Sequence, residues 1–212
     1  MNKVPRVFTP DNEPFLGRPS VYRFDLVITR ALEDSGKVAV FTRTRTLTPL
    51  QHAVSEIIPQ GINLALSIRE LVRQGYLFGA VVLLRPSVER AGIASYLHVK
   101  PSAVAQWEDG WRRGNRPTTA QMFAAANSQF SQAEIERVLQ TFDHIVHGDP
   151  NSTSFNLIDL GDGAWGHAVG KNLSDGSLCD FVCDQALCWL VVLAGRMAGC
   201  FPEVLPPPPP RT

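Results

Sequence analysis

The sequence predicts an all-α protein, a single bundle of five to six helices. From Leu47 onward, apolar residues recur every three or four positions, which is the period of a helix. Residues 76–84 and 186–198 are apolar on nearly every side, as is typical of helices buried inside a bundle. Ser131 and Glu134 match a capping box, which marks the start of another helix. These signals favour helix packed on helix.

The composition limits the class of protein. The 212 residues carry a formal net charge of +0, with 44% apolar and 19% charged residues. A neutral chain this apolar can bury a sizeable core, and it lacks the net positive charge of a general nucleic-acid coat protein. The N-terminus has no apolar run of signal-peptide length, and the longest apolar runs are shorter than a membrane span. We therefore expect a cytoplasmic protein without a membrane partner.

Three regions are predicted along the chain. Residues 1–20 indicate an irregular arm, residues 21–204 the helical bundle, and residues 205–212 a Pro-rich tail. The tail contains five consecutive prolines, which adopt polyproline II and join neither a helix nor a sheet. It is either an inert extension or a ligand for an aromatic groove on a partner.

The first half of the bundle contains two long helices. Residues 21–32 indicate a short helix, and residues 37–46 fit a short strand or the start of a helix. A long helix follows at 47–74, where Pro59 and Gly61 should kink or divide it. Another long helix covers 76–97, with a bend expected at Pro86.

The second half alternates shorter helices with a loop. Residues 102–113 predict a helix with Trp107 and Trp111 one turn apart, and residues 118–127 a short one. The helix after Ser131 has an apolar stripe consisting of Ile135, Val138, Leu139, Phe142 and Val146. Residues 151–175, rich in Gly, Asp, Ser and Asn, indicate a long loop or irregular hairpin before the last helix at 177–200.

The four cysteines lie in the last quarter of the chain. They are Cys179, Cys183, Cys188 and Cys200. A zinc site needs paired short spacings with a turn between them and histidine partners, which this segment does not offer. We interpret the cysteines as small packing residues, and we predict no metal and no cofactor.

Two charged residues in the central helix stand out. Arg85 and Glu89 are four positions apart and therefore share a helix face, directly after an apolar run. Charges there are costly unless they are paired, and Arg before Glu is the less favourable order along a helix. The pair is either an internal ion pair that fixes the register of the bundle or part of a polar pocket.

A second group lies near the end of the helix that follows Ser131. Arg137 and His144 are seven positions apart on the face opposite the apolar stripe, and His147 lies at the edge of that stripe. His147 is therefore expected to look into a cleft between helices. Histidine suits acid–base chemistry because its ordinary pKa is near 6.5.

Two segments carry a resemblance to a known group of proteins. LLRPSVERAGIASYL at 83–97 and FDHIVHGDP at 142–150 resemble uncharacterised bacterial helical proteins that have an Arg-x-x-x-Glu helix and a Val-His-Gly motif. The distinctive positions carried over are Arg85, Glu89, His147 and Gly148. Pro86 departs from the pattern, since a helix former is expected there.

That group is in turn similar to the HEPN superfamily of helical bundles. Many members are metal-independent ribonucleases of toxin or defence systems, with Arg followed after four to six residues by His at a dimer interface. Arg137 and His144 fit this spacing, although Val138 replaces the usual polar residue. The resemblance implies a homodimer that cleaves RNA, with His144 or His147 as acid or base and Arg137 or Arg85 stabilising the phosphate charge.

A non-catalytic role is the other interpretation. Arg85, Glu89 and His147 would then form an internal polar cluster, or a pocket for a small polar ligand, in a binding, sensor or structural protein. We place this interpretation first and the HEPN-like ribonuclease second, so the sequence leaves open whether the protein is an enzyme.

Overall fold

The computed structural model describes residues 13–112, 116–126, 130–167 and 169–205. These residues are mostly helical, with one small two-stranded sheet, so the predicted all-α class is broadly confirmed. They form more α-helices than the predicted five to six, because two predicted helical stretches are divided or shortened and others are brief. Most of the predicted arm and the prolines at 206–210 lie outside the described residues. The helices are α1 (Pro19–Thr44), α2 (Pro49–Gln74), α3 (Leu77–Val82), α4 (Leu84–Val99), α5 (Val104–Glu108), α6 (Thr119–Ala125), α7 (Gln132–Val146) and α8 (Gly176–Cys200).

The last helix, α8, is the centre of the bundle. It packs against α1, α2 and α4, and Trp189, Leu193 and Met197 are almost completely buried on it. The expectation of an apolar helix buried on all sides is wrong in one respect, because Val191 is 49% exposed on its outer face. By length and composition α8 could also cross a membrane, but the core helix of a folded bundle passes the same test.

Helix α1 is longer than the sequence indicated. It begins at Pro19, inside the predicted arm, and it continues to Thr44, through most of residues 37–46, so the strand alternative for that segment is wrong. Phe24, Ile28, Ala31 and Val38 are buried along one side of it. Packing of this stripe against the bundle overrides the local preference of β-branched residues for strands.

Helix α2 runs through both of its predicted breakers. A capping box of Thr48 and Gln51 opens it, and Gly75 ends it in the left-handed conformation with φ +84°. Pro59 lies within the helix without dividing it, and its side chain is exposed. Gly61 lies against Leu193 of α8, where a side chain would collide. Gly61 therefore lets α2 and α8 approach closely.

The segment 76–97 is divided into α3 and α4 rather than bent at Pro86. The break falls at Leu83, and Pro86 is the third residue of α4. Proline is tolerated in the first turn of a helix because the N–H that it lacks would have no partner within the helix there. Pro86 thus starts a helix instead of bending one.

The remaining elements follow the prediction with one exception. The helix expected at 102–113 is a short 3₁₀ turn (Pro101–Ala103) followed by α5, and Trp111 lies beyond it with φ +50°. Capping boxes open α6 at Thr118 and α7 at Ser131. A 3₁₀ segment (Pro150–Asn156) leads into an antiparallel hairpin of β1 (Leu157–Gly161) and β2 (Ala164–His167), as the loop composition suggested.

The Pro59→Ala variant is predicted to be more stable than the natural chain, by about 1–3 kcal/mol in the free energy of unfolding. Alanine restores the N–H that donates to the Ser55 carbonyl and removes the steric conflict of the proline ring. Urea denaturation measures the change. Pro49→Ala is the control, because Pro49 is the first residue of α2 and should give no such gain. An equal effect at both positions would contradict this explanation.

A polar clamp between α1 and α8 predicts a response to acid. Arg18 Nε donates to Asp180 Oδ1 at 2.9 Å, and the Ser20 hydroxyl also donates to this carboxylate. These hydrogen bonds lower the pKa of Asp180 to about 2. Because the pKa of Asp180 is lower in the folded than in the unfolded protein, its charged carboxylate stabilises the fold at pH values above about 4, the ordinary pKa of Asp. This stabilisation is lost as the pH falls toward 2.

Asp180→Asn should therefore be less stable than the natural chain at neutral pH, with the difference shrinking steadily between pH 4 and pH 2. Unfolding measured as a function of pH tests this. Asp184→Asn is the matched control, since its pair with Arg23 is more exposed, 52% against 38% for Asp180. A difference that stays constant down to pH 2 would show that the clamp does not act through the Asp180 charge.

Candidate functional site

A cleft of about 530 Å³ opens between α4, α6 and α7. We call it the Arg85 cleft. Its charged lining residues are Arg85, Glu89, Arg116, Glu136 and Asp143. Its volume lies in the range of small-molecule sites, roughly 300–1,000 Å³.

Helix α4 places Arg85 and Glu89 at the wall of this cleft. The apolar side of α4, with Leu84 and Val88 fully buried, faces the core. The helical period then turns Arg85 and Glu89 toward α6 and α7, where their side chains are 23% and 25% exposed. Arg85 Nη2 lies 3.6 Å from Glu89 Oε1, so the predicted pair exists. It lies at the edge of a cleft and not inside a sealed core.

The closest partner of Arg85 comes from α7. Arg85 Nε lies 3.0 Å from Asp143 Oδ1, which is the distance of a close ion pair. Asp143 was not singled out in the sequence, although it lies within the FDHIVHGDP motif. Its position four residues before His147, on the same side of a helix, was the available signal.

Glu89 is shared among several guanidinium groups. Besides Arg85, Arg90 Nη1 lies 4.0 Å and Arg116 Nη2 lies 3.9 Å from Glu89 Oε2. These distances are those of ion pairs and exceed those of hydrogen bonds. Glu89 therefore offsets part of the positive charge of these guanidinium groups without forming close hydrogen bonds to their N–H donors. Arg116 lies in a non-helical segment before α6, so helical spacing does not predict its approach to Glu89.

One donor of Arg85 is left without an acceptor. Its Nη1 atom is buried and has no hydrogen-bond partner among the described residues. Buried donors nearly always have a partner, and an unsatisfied one costs roughly 1–3 kcal/mol or more when it is charged. The guanidinium is thus only partly satisfied by Glu89 and Asp143.

His147 does not join this cluster. It caps the C-terminus of α7, and its side chain is exposed. Its backbone N–H donates to the Asp143 backbone carbonyl at 2.9 Å. The expectation that His147 reaches the Arg85–Glu89 pair is therefore not met, and Asp143 holds that place. The reason is that Asp143 lies one turn nearer the middle of α7, where this helix contacts α3 and α4.

Arg137 and His144 lie on the solvent side of α7, as the helical period indicated. Arg137 is exposed and His144 is half-buried. His144 Nδ1 lies 3.1 Å from Asp149 Oδ2, just beyond the end of the helix. A carboxylate at this nitrogen fixes the orientation of the imidazole ring and favours a proton on Nδ1. This leaves Nε2 as the nitrogen for any acid–base chemistry.

The cysteines and acidic residues do not assemble a metal centre. Within the described ranges, no group of three or more His, Cys, Asp or Glu side chains could hold a metal ion. All four cysteines are free, and burial raises the pKa of the Cys200 thiol to about 11. His98 Nδ1 lies 3.3 Å from Cys200 Sγ, but burial also lowers the pKa of His98. This contact is therefore between two neutral groups and gives no reactive thiolate.

Comparison with known proteins yields no relative for this chain. No family model matches the sequence, no curated protein matches it, and no solved structure matches the fold. The resemblance to the HEPN superfamily thus rests on the quoted motifs alone and stays a prediction. The functional argument depends on the geometry of the Arg85 cleft and of the exposed side of α7.

Proposed function

We propose that this protein binds a small polar molecule with an anionic group in the Arg85 cleft. The observation that carries the proposal is the incompletely hydrogen-bonded guanidinium of Arg85, whose side chain is 23% exposed and lines a cleft of about 530 Å³. Arg116 lines the same cleft and contacts Glu89 only at 3.9 Å. A carboxylate or phosphate in the cleft would accept hydrogen bonds from the accessible parts of both guanidinium groups.

The rest of the lining suits a ligand that also donates hydrogen bonds. Glu136, Gln140 and Asp143 present side-chain oxygens, and Thr118 and Thr119 lie beside them. The two arginines would hold the anionic end of the ligand, and these oxygens would accept from its hydroxyl or amino groups. Leu139 supplies an apolar contact. This combination favours a polar metabolite over a bare inorganic ion.

A purely structural ion pair explains fewer of these features. An ion pair that only fixed the register of α4 and α7 would need no adjoining cleft. The order of Arg85 before Glu89 also adds little to the helix itself. The cluster therefore fits a binding site whose charges are held in position before the ligand arrives.

Binding is tested with three probes, inorganic phosphate, succinate and adenosine monophosphate, by calorimetry and thermal unfolding. Adenosine monophosphate, which also carries hydroxyl and amino donors, should bind the natural chain more tightly than phosphate or succinate. Arg116→Gln should weaken that binding about 10- to 100-fold, since hydrogen bonds to charged groups contribute roughly 1.5–3 kcal/mol. Arg116 is the chosen site because its side chain is 48% exposed, so the variant should fold.

Arg112→Gln is the control for this experiment. Arg112 is 81% exposed, pairs with Asp109 and does not line the Arg85 cleft. Binding should be unchanged in this variant. If Arg116→Gln and Arg112→Gln bind the probe equally well, the site lies elsewhere. If no probe binds and Arg85→Met is at least as stable as the natural chain, the cluster has a structural role only.

As a second candidate, we propose a metal-independent ribonuclease centred on Arg137 and His144. The favouring observation is the His144–Asp149 contact of 3.1 Å, together with an exposed arginine on the same side of α7. His144 Nε2 would take the proton from a ribose 2′-hydroxyl, and Arg137 would stabilise the charge that develops on the phosphate. A homodimer that brings two such surfaces together is part of this candidate.

Cleavage of labelled single-stranded RNA in the presence of a chelator tests the second candidate. We expect His144→Ala to lower the cleavage rate at least 100-fold if His144 is the general base or acid. His52→Ala is the control, because His52 is an exposed histidine that also lies beside a carboxylate, 3.5 Å from Glu56. No cleavage by the natural chain, or equal cleavage by both variants, would remove this candidate.

A further inference from the structure

A separate pocket of about 130 Å³ lies between α1, α2 and α8. Its floor is apolar and almost fully buried, and its rim carries small or polar residues. The floor consists of Val38, Val54, Ile58, Met197 and Phe201, and the rim includes Ala39, Thr42, Ser55 and Pro59. None of these residues lines the Arg85 cleft.

The sequence of α1 and α2 explains why the pocket is present. Where α1 passes the pocket it presents Ser35 and Ala39, which are too small to fill the space above Val54 and Ile58. On α2, Pro59 has no N–H and cannot donate to the carbonyl of Ser55, one turn earlier. Because Ser55 and Pro59 both line the pocket, the helical turn that contains this carbonyl forms part of the pocket wall.

The hydroxyl groups at the rim also offer acceptors. Ser55 Oγ donates to the His52 carbonyl at 2.7 Å, and Thr42 Oγ1 donates to the Ala39 carbonyl at 3.0 Å. Each hydroxyl proton is therefore in use, and each oxygen keeps lone pairs for a ligand. With the Ser55 carbonyl, these polar atoms act as acceptors and not as donors.

We propose that this pocket binds a small, mainly apolar molecule that carries one hydrogen-bond donor, of the size and chemistry of a phenol. Apolar cavities near 150 Å³ in proteins bind a single aromatic ring, so the volume of about 130 Å³ suits one ring. The apolar floor binds the ring by burial, and the Ser55 carbonyl, which has no helical donor, accepts from the ligand hydroxyl. The proposal is independent of the Arg85 cleft.

Phenol and toluene test both parts of the proposal, because they have nearly the same size and differ in the donor. Met197 lines the pocket, whereas Met122 is fully buried elsewhere, on α6. In protein labelled with ¹³C at the methionine methyl groups, phenol should shift the Met197 signal saturably and leave the Met122 signal in place. Toluene should bind about five- to tenfold more weakly than phenol.

Two variants locate the ligand. Pro59→Ala restores the N–H to the Ser55 carbonyl, so the affinity ratio of phenol to toluene should fall toward one. Ala39→Leu fills the pocket from the side of α1 and should weaken the binding of both ligands at least tenfold. Ala133→Leu, at an exposed position of α7, is the matched control and should bind both ligands as the natural chain does. An unshifted Met122 signal shows that each variant is folded.

The proposal is overturned if phenol leaves the Met197 signal unmoved up to its solubility limit. It is also overturned if toluene binds the natural chain as tightly as phenol, or if Pro59→Ala keeps the full preference for phenol. Equal binding by Ala39→Leu and Ala133→Leu would place the ligand outside this pocket and would likewise overturn it.

Discussion

The burial of α8 against α1, α2 and α4 is the interaction on which the rest of the structure depends. Large apolar side chains such as Trp189 and Leu193 are removed from water there, and each contributes roughly 1.5–3 kcal/mol. The close approach of α2 requires the missing side chain of Gly61. Because the apolar side of α4 packs into this core, the charged residues of α4 lie on its other side, at the surface of the bundle.

The Arg85 cleft follows from that constraint. Arg85 and Glu89 cannot enter the core without a large desolvation cost, so they lie where α4 meets α6 and α7. Asp143 and Arg116 complete a cluster in which the charges are paired but one Arg85 donor is not satisfied. The pocket between α1, α2 and α8 has the opposite origin. It is an apolar space left by small residues on α1 and by a proline within α2.

The two candidate functions use different sides of α7. The Arg85 cleft lies toward α4 and α6, where the charges are held in place by one another, and this geometry is suited to binding. The solvent side carries Arg137 and the His144–Asp149 contact, and this geometry is suited to acid–base chemistry. His147 belongs to neither arrangement, because it lies exposed beyond the last turn of the helix.

The sequence by itself determined the features that depend on neighbouring residues. The capping box at Ser131 and the left-handed conformation of Gly75 at the end of α2 depend only on nearby residues. The same holds for the helix face that Arg85 and Glu89 share. Tertiary packing decided the rest. It extended α1 through a segment that also fits a strand, and it kept α2 continuous across Pro59. It also brought Asp143 and Arg116 to the cleft, because contacts between distant residues depend on how helices pack and not on spacing along the chain.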